Sequence, residues 1–283
     1  MAQFTVLGGS GFIGSHLISH LRECGHPVFV PGRGEGRIYR EPLGHVIYAI
    51  GVTADFRTRP YATMDAHVAV LGEILRRARF ESFTYLSSTR LYAGAGTTAE
   101  DSAFRVDPAD ASDLYNLSKL AGEALCLAHR QPSVRVARLS NVYGDGMGYE
   151  NFLAVILREA VYDARIVLRT GPDSAKDYVA VDDVARALRL IALGGTHRIY
   201  NIGAGGNVSH AALTAALARL TGSAIEVQPG APVTSFPTID TARLASLFAG
   251  LGAKWAPADL LDRLPALVAG TAREPAAAAG GNA

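Results

Sequence analysis

Phe4-Thr5-Val6-Leu7-Gly8-Gly9-Ser10-Gly11-Phe12-Ile13-Gly14 is the stretch whose reading decides the fold. Four apolar or β-branched residues read as a short strand. Glycines then recur at 8, 11 and 14, and Leu17, Ile18 and Leu21 continue at helical spacing to a stop near Gly25. Glycine lets a backbone turn tightly and come close to a pyrophosphate, while the N-terminus of the following helix favours its negative charge. A strand before and a helix after make this turn a candidate nucleotide site, with Gly8, Ser10, Gly11, Phe12, Ile13 and Gly14 as its contacts.

Working outward, strand and helix signals alternate. Strands are expected at Val28–Val30, Val46–Ile50, Phe83–Leu86 and Val134–Ala137, and helices over Met64–Ala78 and Asp113–His129. Such alternation predicts an α/β fold: a doubly wound, Rossmann-type parallel sheet covered on both faces. Ligands of such sheets sit beyond the carboxyl ends of the strands. The glycine turn, Ser87–Thr89 and Asn141–Gly144 all fall at strand ends and are expected to converge. After Gly144 the alternation weakens. Helices are expected at Asn151–Val161, Asp182–Leu193, Ala211–Leu220 and Asp259–Val268, with strands at Ile166–Leu168 and Ile199–Gly203. The expected partition is a dinucleotide domain over 1–145, with 178–203 returning to it. A smaller substrate lobe takes 146–177 and 204–270, and 271–283 is a disordered tail, Ala/Gly-rich from Pro275 onward.

Composition narrows the functional classes. The 283 residues are 49% apolar and 19% charged, ordinary for a globular enzyme. A net charge of +1 offers no footprint for nucleic acid or an acidic membrane. No apolar run approaches the roughly 18 residues of a membrane span. The strand-like N-terminus does not read as a signal peptide, which points to the cytoplasm. Cys24 and Cys126 have no metal-ligand spacing and are expected to be buried packing residues. Asp182 and Asp183 read as a helix cap and first-turn charge. His16 is expected in the helix near the glycine turn, and no metal site is expected.

Tyr115-Asn116-Leu117-Ser118-Lys119 adds chemistry. Residues four apart share one helix face. A phenol with an ordinary pKa of about 10 moves protons poorly at neutral pH, and an adjacent ammonium would lower it. Lys119 is one of only three lysines, beside Lys176 and Lys254, in an arginine-biased chain. A tuned tyrosine together with a dinucleotide turn points to hydride chemistry.

On these motifs the chain resembles the extended short-chain dehydrogenases/reductases of the NAD-dependent epimerase/dehydratase family, which act mainly on nucleotide sugars. Further landmarks are Leu86–Tyr92, Arg138–Gly144, Lys176–Val184 and Tyr200–Gly203, and the resemblance covers roughly residues 3 to 257. It implies that Tyr115 is the general acid/base, that Lys119 lowers its pKa and holds the nicotinamide ribose, and that Ser88 hydrogen-bonds the reacting oxygen. Thr89, Asn141, Asn151 and Lys176 match positions expected to touch substrate. A homodimer is implied, paired through Met64–Ala78 and Asp113–His129.

Departures from the family pattern refine these expectations. The position that holds an acid in NAD-preferring relatives is Gly32 here, followed by Arg33, which can pair with a 2′-phosphate. NADP(H) is therefore the expected cofactor, with NAD(H) as the alternative and Glu35 as its reserve partner. Between Gly32 and Tyr48 the family's extra helix and strand look truncated. Thr89-Arg90 replaces the Asp-Glu of 4,6-dehydratases, and Lys176 replaces an arginine that clasps diphosphate. The expected reaction is reduction of a 4-keto group on a nucleotide-activated sugar. A 4-epimerase is the alternative, and a non-enzymatic nucleotide-binding protein is a third reading.

Overall fold

The computed structural model describes residues 1–52, 55–149 and 151–273. In chain order its first elements are β1 (Phe4–Leu7), α1 (Phe12–Glu23), β2 (Val28–Phe29) and β3 (His45–Tyr48). Then α2 (Pro60–Met64), a π-turn over Asp65–Ala69 and α3 (Val70–Arg77) form one interrupted helix. They are followed by β4 (Ser82–Ser88), α4 (Asp113–Ala128) and β5 (Val134–Leu139). The second half holds β6 (Asn141–Tyr143), α5 (Phe152–Tyr162), β7 (Arg165–Leu168), β8 (Ala175–Ala180), α6 (Val181–Gly194) and β9 (Ile199–Ile202). Last come β10 (Asn207–Ser209), α7 (His210–Thr221), β11 (Ala224–Val227), α8 (Ala242–Gly250) and α9 (Leu260–Thr271).

Six parallel strands form the main sheet in the order β2-β1-β3-β4-β5-β9. The order reverses between β1 and β3, so the crevice for a ligand opens there, above Leu7 and Tyr48. One face is sealed by Leu17, Leu21, Val184, Leu188 and Ile191, the apolar stripes of α1 and α6. The other is sealed by Leu71, Ile74 and Cys126 from α3 and α4. Each such side chain contributes roughly 1.5–3 kcal/mol when fully buried. This is the expected doubly wound α/β architecture. The only regular element between β2 and β3 is a 3-10 turn at Gly36–Tyr39, so β2 is left as the sheet edge.

A second core gathers Leu153, Leu157, Ile166, Leu213, Leu217, Leu260 and Leu264 from α5, β7, α7 and α9. Two small sheets, β10-β8-β6 and β11-β7, join it to the first. The strands β6, β8, β10 and β11, and helix α8, carry no strong local period and were not expected from sequence.

Several local expectations change. Met64–Ala78 is not one regular helix, because the π-turn breaks it. Cys126 is buried, but Cys24 lies exposed at the end of α1. Asp182 and Asp183 occupy the first turn of α6, but its N-cap is Ala180. There Asp183 pairs with Arg186 at 2.9 Å and accepts from the Ala258 amide at 2.8 Å. His16 lies in α1, its ring bonded to the Asp145 carbonyl at 2.9 Å. Of the expected tail, Thr271 still closes α9, and residues 274–283 lie outside the described residues. No described helix is long and apolar enough to cross a membrane.

Candidate active site

The glycine turn sits where β1 meets α1. Gly8 has φ +85°, and a Cβ there would lie 2.7 Å from the Ala49 backbone. A Cβ on Gly14 would collide with the Gly8 carbonyl, so that glycine sets how closely α1 packs on the turn. Gly11 faces open space apart from the Gly8 carbonyl at 3.4 Å, and it begins α1 without a side-chain cap or a first-turn acid. Free amides at Phe12 and Ile13, beside an open backbone surface at Ser10 and Gly11, fit a pyrophosphate.

Beyond β2, Arg33 is exposed and forms no ion pair among the described residues. Glu35 accepts from the Arg37 amide at 3.2 Å and so caps the 3-10 turn. Arg37 pairs with Glu41 at 2.9 Å.

Across the switch point, β4 and α4 bring the expected catalytic side chains together. Ser88 ends β4 and its hydroxyl accepts from the Arg90 amide at 3.1 Å. It lines the same cavity as the Tyr115 phenol and works to lower the phenol's pKa. Tyr115 and Lys119 are 7% and 4% exposed, one turn apart on α4. The ammonium lies 5.7 Å from the Tyr115 ring centre and donates to the Leu86 carbonyl at 2.9 Å.

The tuning of the phenol differs from expectation. Burial raises the Tyr115 pKa, and the opposing influences are Ser88 and then Arg90. Lys119 is not among them. Burial instead lowers the lysine to about 7, partly opposed by Glu123. A charge loses much of its leverage when desolvation removes it, which spacing along a helix cannot reveal.

A cavity of about 230 Å³ opens in front of this group. Ser88, Thr89, Tyr115, Asn141 and Lys176 line it. Asn141 donates to the Asp177 carbonyl at 2.8 Å. Asn151 does not line the cavity. Its side chain caps α5 through the Leu153 amide at 3.0 Å. Arg90, Phe56, Asp177, Phe236 and Ile239 complete the walls. Asp177 is the cavity's carboxylate among the described residues, and the amides of Ala204, Gly205 and Gly206 hold it at 2.9, 2.7 and 3.2 Å.

Sequence reasoning missed two groups. In the sequence Arg90 reads only as an absent carboxylate, yet it stands 5.8 Å from the Tyr115 ring centre. Its place two residues after Ser88 was the available signal. His67 gave no signal. It is fully buried on the π-turn, its ring edge-on to Tyr115 at 5.6 Å. The Val52 amide donates to its Nε2 at 3.2 Å, which leaves Nδ1 to donate to Ser118 Oγ at 2.8 Å. Ser118 in turn donates to the Tyr115 carbonyl at 2.7 Å. Burial, then Lys119, hold His67 down to about 3, so it is neutral. The chain of bonds ties the loop after β3 to α4.

A Rossmann sheet, a glycine turn at its switch point and a Ser-Tyr-Lys group with the tyrosine and lysine buried define a dinucleotide-dependent oxidoreductase fold. The NAD dependent epimerase/dehydratase family model matches residues 4–203, and the chain belongs to that family. Its nicotinamide cofactor fits the turn described above. A dTDP-glucose 4,6-dehydratase of Streptomyces griseus is 28% identical over 148 residues, covering 50% of this chain and 44% of the relative. The chain thus spans less than half of that relative's length. Among solved structures, MoeE5 in complex with UDP-glucose and NAD superposes with TM-score 0.78 at 24% identity, covering 96% of this chain and 99% of that one. RMD from Pseudomonas aeruginosa complexed with NADPH gives 0.77 at 21%, covering 95% and 100%. These structures share the fold.

Proposed function

We propose that the protein reduces a keto group, at C4, of a nucleotide-activated sugar, using NADPH. The observation that carries this reading is the convergence of Ser88 and Tyr115 on one cavity whose walls offer no free carboxylate among the described residues. When bound, the nicotinamide supplies the hydride. Ser88 and Tyr115 place two donors on the substrate oxygen, polarise the carbonyl, and Tyr115 then protonates the new alcohol oxygen. Lys119, one turn below, holds the nicotinamide ribose and returns positive charge to the phenol once the site is filled. A 4,6-dehydratase needs an acid beside the sugar to eliminate water. Thr89 and Arg90 provide none, and Asp177 is spent on three amides.

Arg33 supports NADPH over NADH, since no acid stands at Gly32 to meet the ribose and Glu35 is turned to Arg37. The module of α5, α7 and α9 we assign to the substrate lobe, and the active unit to a homodimer. Denaturing freshly purified protein and identifying the released nucleotide tests the cofactor reading. An empty protein that binds NADPH more tightly than NADH and oxidises it with a 4-keto nucleotide sugar supports the reductase. Stoichiometric NAD in the released fraction would replace it with the 4-epimerase reading.

A further inference from the structure

Two cations, Arg90 and Lys176, share the cavity with one carboxylate, Asp177, among the described residues. Lys176 lies against Phe152, its ammonium 5.3 Å from the ring centre. Arg90 lies against Tyr115 and Phe56, at 5.8 and 5.4 Å from their ring centres. The Arg90 side chain makes one hydrogen bond among the described residues, a long one to the Ser112 carbonyl at 3.4 Å. Nearby acids are occupied. Asp113 accepts from Asn116 and from the Asp107 amide, and Asp110 from the Ser112 amide. Asp177 faces its three glycine-loop amides. Arg57, the other neighbouring charge, is itself a cation. Burial, then Arg57, push Arg90 below its ordinary range, and burial, then Arg90, do the same to Lys176. Half-buried cations whose donors are left largely open are costly, and a ligand can complete such a site.

The two cations do not meet the same part of a substrate. Their separate roles rest on the keto-sugar reading above. With C4 at Tyr115, the diphosphate leaves from C1 on the far side of the hexose ring. Arg90 stands at the reacting end, its guanidinium 5.8 Å from the Tyr115 ring centre. It therefore meets the substituent next to C4, while Lys176 remains for the diphosphate. A planar guanidinium is suited to a carboxylate, which it grips with two parallel hydrogen bonds. We propose that the substrate is a nucleotide-activated sugar acid whose C6 carboxylate pairs with Arg90.

The test is a binding comparison on the NADPH-loaded protein. UDP-glucuronate is set against UDP-glucose, and glucuronate 1-phosphate against glucose 1-phosphate, which keeps the comparison independent of the base. Wild type is expected to bind the acid at least tenfold more tightly in a pair. Arg90→Leu should erase that factor while holding the neutral sugar as wild type does, and Arg90→Lys should retain part of it. Melting temperature and NADPH affinity of each variant show that the site is folded. Equal affinity for acid and neutral sugar in wild type overturns the proposal alone, as does a preference that survives Arg90→Leu. An equal loss of both sugars in Arg90→Leu assigns Arg90 to the diphosphate or to Tyr115 instead. Binding of neither pair overturns this inference and the nucleotide-sugar reading together.

Discussion

Tyr115 is buried, its phenol raised above the ordinary range, and Ser88 and Arg90 work against that rise. A proton donor that stays protonated at neutral pH suits the reductive direction. Tyr115→Phe should lower kcat by about 10³-fold, within the range for a lost general acid, with NADPH affinity within about twofold of wild type. Steady-state kinetics beside a cofactor titration checks both; an active Phe variant removes Tyr115 from the chemistry. His67 makes a second prediction. Its folded pKa of about 3 lies below its ordinary 6.5, so between these values the unfolded chain binds the extra proton. Stability is then full above pH 6.5 and is lost as pH falls toward 3, by up to about 1.4 kcal/mol per pH unit. His210, held down to about 4, adds to the upper part of this window. His67→Asn should flatten the dependence of melting temperature on pH between 6.5 and 4. An unchanged slope would show that His67 is not neutral in the fold.

At the scale of elements, the strand end that carries Ser88 is braced from behind. Arg138 on β5 meets Glu123 on α4 through two bonds of 2.9 and 2.7 Å, and Glu123 also accepts from Ser87 Oγ at 2.6 Å. Arg138 further donates to the Tyr92 hydroxyl at 2.7 Å, and Tyr92 to Asn201 on β9 at 2.9 Å. Both charges are almost fully buried. Removing one partner strands the other, which costs about 3–5 kcal/mol. Arg138→Met should show a loss of that size in chemical denaturation. Glu73→Ala, which breaks the half-exposed pair with Arg77 on α3, should cost about 0.3–0.5 kcal/mol. Comparable losses would mean that the buried pair is no brace.

For the whole molecule, the expected dimer places a second copy on Met64–Ala78, which takes in α3, and on α4. Met64, Val70, Leu125 and Leu127 are exposed apolar residues on these segments. Light scattering should give twice the chain mass of 29.8 kDa. Val70→Glu with Leu125→Glu should bring it to one mass without unfolding the chain. A wild-type monomer would end this reading.

What the sequence determined by itself is local and periodic. Glycines at 8, 11 and 14 have a steric reason that holds wherever a strand turns into a helix over a pyrophosphate, and Tyr115 and Lys119 share a face by helix geometry alone. The parallel sheet followed from alternating strand and helix periods. Only the tertiary structure decided what depends on neighbours far along the chain. His67 meets Ser118 and Tyr115 across 51 and 48 positions. Asp177 has its carboxylate oxygens held by amides 27 to 29 residues away. The short strands β6, β8, β10 and β11 form because partners are present, and not from a strong period of their own. The pKa values of Tyr115 and Lys119 reversed the simple expectation for the same reason. Desolvation is a property of everything packed around a group, and a sequence lists only the group.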